Sequence, residues 1–140
     1  MAHMPNSAKL AAYRSTSVHA GVDAADPHRL IVMLMDGALE RIATARGLMT
    51  HAGNGAERAQ LLHRAVAIID ELRNSLNVKA GGEVAANLDA LYEYMCMRLM
   101  QANSANKPES LDEVGRLLNE IRSAWLQLTA QGRAQVAQAL

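Results

Sequence analysis

The chain predicts an all-α protein: an antiparallel, up-down four-helix bundle with an additional short N-terminal helix or extended segment. Three observations predict it. Apolar residues recur at three- and four-residue spacing over long stretches, the period of an amphipathic helix. The apolar half of the composition contains no Phe, one Trp and three Tyr, so aliphatic side chains and the eight Met must fill the core. Ala, Leu, Met, Arg and Gln also favour helix over strand. The breaks between stretches are short, and short connections join antiparallel neighbours.

Met1-Ala2-His3-Met4 reads as a cloning remnant, and residues 5–25 as a mobile segment ahead of the bundle domain at 26–131. Within that segment, Ser7 to Val18 is amphipathic through Leu10, Ala11, Tyr13 and Val18. A helix of about a dozen residues is marginal alone, so it should form only by docking. The first long helix opens at Asp26-Pro27, a cap followed by proline at the first helical position. Its stripe is Ile31, Leu34, Met35, Ala38, Ile42, Ala45 and Met49, and Gly53-Asn54-Gly55 supplies the turn after it. The second, about 56–77, carries Leu62, Ala65, Ile69, Leu72 and Leu76.

Gly81-Gly82 then separates it from a third helix running to about Asn103. Its stripe is Val84, Leu88, Leu91, Met95 and Leu99, widened by Ala85, Tyr92 and Ala102. Tyr92 and Tyr94 should place amphipathic rings near the edge of a contact. A proline-closed turn at 103–108 precedes Ser110-Leu111-Asp112-Glu113, which has the capping-box spacing. The fourth helix follows with Val114, Leu117, Leu118, Ile121, Ala124, Trp125 and Leu128, leaving 132–140 as a tail after Gly132.

Chemistry is sparse. Lys plus Arg equals Asp plus Glu at 14 each, which argues against a nucleic-acid partner. No apolar run has the length to cross or insert in a membrane. A lone Cys96, flanked by Met95 and Met97, excludes an internal disulfide and reads as a core or boundary thiol in a reducing cytoplasm; residues 1–20 carry no secretory apolar run. Glu-x-x-His, His-Glu-x-x-His and Cys-x-x-Cys are all missing, so no metal, cofactor or enzyme activity is expected. His63, on a face with Val66, Asp70 and Arg73, could serve a phosphotransfer bundle but reads better as a solvated side chain, as do the paired acids Asp36 and Glu40. His28 belongs to a first turn, and His51 lies near a helix end.

What remains is surplus apolar surface. Met33, Met35, Met49, Met95, Met97 and Met100 lie on only two helices. Leu30, Met33 and Gly37 on the first, and Tyr94, Met97 and Met100 on the third, fall beside the core stripe. A helix in a monomeric bundle buries one stripe. The excess implies a second contact: the N-terminal piece, another subunit or an incoming helix.

At these residues the chain resembles the flagellar export chaperone FliS family. Ala12-Tyr13-Arg14 with Val18 is similar to its N-terminal motif, and Asp26-Pro27-His28-Arg29-Leu30 to its entry into the first long helix. Met33-Leu34-Met35-Asp36-Gly37-Ala38 resembles a family block in which Tyr usually stands at the Met35 position. Gly81 to Tyr94, Arg98 to Asn103 and Ala124-Trp125 also match, so the resemblance spans residues 12–126. It implies a cytoplasmic helical bundle that binds the disordered C-terminal segment of flagellin, prevents its premature polymerisation and delivers it to the export gate protein FlhA. Leu10, Tyr13 and Val18 would then belong to a movable segment that covers the groove when no client is present. Leu30, Met33, Asp36, Gly37, Tyr92 and Tyr94 would form the groove and its rim, with Met95 and Leu99 of the third stripe completing the partner-binding set. A homodimer that swaps the N-terminal segment would cover the same stripe. The rival readings are an adaptor for another secretion client and a histidine phosphotransfer domain using His63.

Overall fold

The computed structural model describes residues 26–127, apart from the side chain of Val78. The expected N-terminal segment, with Leu10, Tyr13 and Val18, lies outside the described residues, as do Leu128 and the tail. Within them the chain forms α1 (Pro27–Leu48), α2 (Gly55–Asn74), α3 (Val78–Ala105) and α4 (Pro108–Gln127), with no strand. Each helix packs on its chain neighbour, and α4 returns to α1. Polar links fix the directions. Arg46, late in α1, pairs with Asp112, early in α4, while Arg58 at the start of α2 donates to Asn103 at the end of α3. Arg73, late in α2, pairs with Asp89, early in α3. Neighbours therefore run antiparallel, as the sequence predicts.

The opening of α1 is as expected. Asp26 Oδ1 accepts from the N–H groups of His28 (3.1 Å) and Arg29 (3.3 Å), satisfying donors that the first turn leaves free. The junction between the next two helices differs from expectation. Asn77 accepts from the Ala80 N–H at 3.1 Å and so caps α3. A residue serving as that cap cannot also continue α2, which ends three residues earlier, at Asn74. The glycine pair is then a break inside α3 rather than its boundary. Gly82 has φ 58° and ψ −131°, a conformation open to glycine almost alone.

Past that break α3 buries most of the expected stripe. Ala85, Tyr92, Met95, Leu99 and Ala102 are buried, and Leu88 packs against the core half-covered. These six positions alternate three- and four-residue steps, the seam along which two helices can keep facing each other. Val84, expected in the stripe, is exposed, and Leu91 is half-buried.

The capping box at Ser110 does not form. Pro108 takes the first helical position, which puts Ser110 inside α4 and fully buried. Glu113 turns instead to the Tyr94 hydroxyl (2.7 Å) and Arg98 Nε (2.9 Å) on α3. Those two bonds, led by the tyrosine's, hold its carboxyl below the usual range.

The core joins the inward faces of all four helices, among them Leu34, Met35 and Ile42, Leu62 and Ile69, Tyr92 and Leu99, and Val114 and Leu118. Trp125 closes one end of it. Its ring stacks on His28 at a centroid distance of 4.7 Å. Its Nε1–H donates to the His28 carbonyl at 3.0 Å, and His28 Nε2 donates back to the Trp125 carbonyl at 3.1 Å. This reciprocal pair fastens the start of α1 to the end of α4.

Gly82→Ala should destabilise the bundle by about 1–3 kcal/mol in chemical denaturation, since a Cβ strains that backbone even where the space around it is open. Tyr92→Phe should leave stability unchanged or raise it by about 1 kcal/mol, because the buried hydroxyl has no hydrogen-bond partner among the described residues. Burial also pushes the Tyr92 hydroxyl from near 10 up to about 12, and burial with the Asp70 charge pushes the Cys96 thiol from near 9 up to about 12. The folded chain therefore holds both protons more tightly than the unfolded chain does. Their contribution is complete below pH 9 and disappears as pH rises towards about 12. Circular dichroism against pH should show stability falling over that interval, with the alkaline edge moved upward in a Tyr92→Phe, Cys96→Ala variant.

Candidate functional site

The surface carries apolar side chains that the core does not use. Val84 (55% exposed), Met97 (49%) and Met100 (49%) lie on α3, and Leu126 (45%) lies at the end of α4. Met97 and Met100 stand three residues apart, so they share one side of α3. Met side chains are flexible and polarizable, which suits a surface that must fit an adaptable partner. Of the six methionines expected on the first and third helices, Met35 and Met95 are buried, while Met33 and Met49, the latter just past the end of α1, are half-buried. The expected division between core and outer contact therefore runs through the methionines themselves.

The sequence-predicted partner residues separate into three groups. Tyr92, Met95 and Leu99 are fully buried in the core and offer no surface in this conformation. The Tyr92 ring sits at an inward position of the α3 seam, so it is not on a rim. Leu30 is buried and Met33 half-buried on α1, and Gly37 is a close-packing point: a Cβ there would meet Arg41 Nη1 at 3.3 Å and Ile68 Cδ1 of α2 at 3.5 Å. Asp36 and Tyr94 do reach the surface, each already engaged. Asp36 accepts from Arg122 of α4, and the Tyr94 hydroxyl donates to Glu113. That bond pushes the Tyr94 hydroxyl up, so it remains a neutral donor. The structure thus brings Leu30, Met33 and Gly37 together on α1, and places Asp36 and Tyr94 on seams with α4.

Two features were not expected from the sequence. One is the His28–Trp125 fastening, which joins residues 97 positions apart and has no local signal. The other is an open furrow between α1 and α4, about 490 Å³ in volume, where Ala43 and Gly115 leave the seam unfilled.

Nothing in this arrangement supports bond-making chemistry. Among the described residues no group of three or more His, Cys, Asp or Glu is placed to hold a metal ion, and no helix is long and apolar enough to cross a membrane. Cys96 is half-buried, its sulfur 3.9 Å from the Val66 carbonyl and 3.7 Å from Asp70, and its raised thiol is a poor nucleophile. His63 is exposed on α2, and His51 lies beyond the end of α1 beside the Thr50 hydroxyl.

The chain is similar in sequence to known proteins over most of its length. The family described as flagellar protein FliS matches residues 9–132. The flagellar secretion chaperone FliSB of Pseudomonas aeruginosa is 49% identical over 113 residues, which cover 81% of this chain and 89% of that protein. The flagellar secretion chaperone FliS of Vibrio cholerae is 41% identical over 119 residues, 85% of this chain and 87% of that protein. Its counterpart in Salmonella typhimurium is 41% identical over 125 residues, 89% and 92% of the two chains. The chain therefore belongs to the FliS family of flagellar secretion chaperones, a family of chaperones and not of enzymes.

Proposed function

We propose that this chaperone acts in the cytoplasm on the disordered C-terminal segment of flagellin, keeps it from polymerising and hands it to the export gate protein FlhA. The observation that carries the reading is the unspent apolar surface of α3, where Met97 and Met100 stand half-exposed on one side of a helix whose other side is already in the core. A disordered client loses chain entropy when it orders on such a surface and recovers it by burying apolar area over a long wrapped path. Helical pieces of the client would present anchors at i, i+3, i+4 and i+7.

On this reading Met33, Leu30 and Gly37 of α1 form one part of the contact surface, with Asp36 and Tyr94 as polar rim groups. Tyr92, Met95 and Leu99 support that surface from the core. Leu10, Tyr13 and Val18 cover it between clients, or a second subunit does so in a homodimer. An adaptor for a different secretion client would use the same burial physics, so the client peptide itself must discriminate. Family membership favours either over phosphotransfer through His63.

Calorimetry with a C-terminal flagellin peptide should show saturable one-to-one binding with a negative heat-capacity change; no heat at high peptide concentration would point to another client. A Met97→Lys, Met100→Lys double variant should bind about tenfold or more weakly while melting as the parent does, because it removes apolar contact from an exposed face. Deleting residues 1–18 should raise dye binding or self-association. A truncated monomer with unchanged dye binding would eliminate the covering role of Leu10 and Tyr13.

A further inference from the structure

The furrow between α1 and α4 has an apolar floor and a charged edge. Leu39 and Ala43 of α1 line it above the buried Ile42 and Leu111, and a Cβ added at Gly115 would meet nothing within 4 Å. Ion pairs span the seam at two places: Arg46–Asp112 at one end of the furrow, and Asp36–Arg122 towards the other. Its lining on α1 runs from Leu39 to Arg46, a rise of about 10 Å, so the open stretch accommodates about two turns of a helix laid along it.

Charge selects the occupant. Asp112 and Asp36 are each engaged by an arginine. Arg116 on the furrow's edge makes no ion pair among the described residues; the acid one turn before it, Glu113, feels its charge but gives its hydrogen bonds to Tyr94 and Arg98. A guanidinium above an apolar floor favours an aliphatic anchor with a carboxylate close by. A second copy docking symmetrically would bring Arg116 towards its own counterpart, which disfavours self-pairing here. The chain's own ends are also the wrong sign: residues 1–25 carry Lys9 and Arg14 against Asp23, and residues 128–140 carry Arg133 with no Asp or Glu.

We infer that this furrow is a docking subsite for a helical piece of the export client, seating an aliphatic side chain against Leu39 and Ala43 in the space beside Gly115 and an Asp or Glu of the next turn on Arg116. The inference rests on the client reading above and adds to it a place and a recognition chemistry. The subsite reads charge as well as apolarity, unlike the methionine face of α3, and so fixes the register in which the client wraps.

The test is calorimetry of the full chain with the C-terminal flagellin peptide, comparing the parent with Gly115→Leu and Arg116→Glu. Gly115→Leu fills the furrow and should lower affinity about tenfold or more, with Gly115→Ala between it and the parent. Arg116→Glu should lower affinity about fivefold or more at low salt, the loss shrinking at high salt. Replacing one client acid by Lys should restore binding to the Arg116→Glu protein. Melting curves show whether Gly115→Leu has disturbed the fold; Arg116 is exposed, so its variant carries the test if that one has. If the peptide binds the parent and both variants alike, the subsite is wrong and the client reading stands. If the peptide does not bind the parent at all, both are overturned.

Discussion

The bundle depends on alanine. Ala38 and Ala45 of α1, Ala65 of α2 and Ala85 and Ala102 of α3 are completely buried, each where a larger side chain would push the helices apart. With no Phe in the chain, the helices close down on a thin interior of aliphatic side chains and Met around one tyrosine ring, with Trp125 at one end. A thin interior has limited capacity. The side chains that do not fit, Val84, Met97, Met100 and Leu126, remain outside as apolar surface. Tight packing within and apolar surface without therefore share a cause: the interior that lets the helices close down leaves those side chains on the flank.

Exposed ion pairs on the seams contribute little stability each. Their value is positional. Arg73 spans Asp89 and Glu93 on α3, and Arg98 meets Glu113 across the α3–α4 seam, so the links hold the helices in axial register. Register matters because the outer surface is assembled from several helices, and a slip of one turn would separate its parts.

Much of the fold was legible in the sequence. Asp26-Pro27 is a local signal and read correctly, since cap and proline act within one turn. The core stripes of α1 and α2 were readable because polar residues flank them clearly. On α3 the sequence offers two interleaved apolar stripes, and periodicity alone does not say which one faces inward. The surplus apolar surface is what hid the core face and sent Tyr92 to an edge it does not occupy. Ser110 failed for a related reason: two start signals compete, and Pro108 acts first. The candidate surface was legible as an excess on α1 and α3, but its members could not be assigned from spacing. The Trp125–His28 link and the furrow at Ala43 and Gly115 arise where distant segments meet, and a gap between two helices leaves no pattern in either.

Cys96 has a practical consequence. Its sulfur is lodged between α2 and α3 against the Val66 carbonyl and Asp70, and its proton is held so firmly that almost no thiolate exists near neutrality. Sulfhydryl reagents and aerobic storage should leave it untouched while those two helices stay together. Any event that parts them would uncover a normal thiol, so the rate at which Cys96 takes up a maleimide clocks the opening of that seam without an added label.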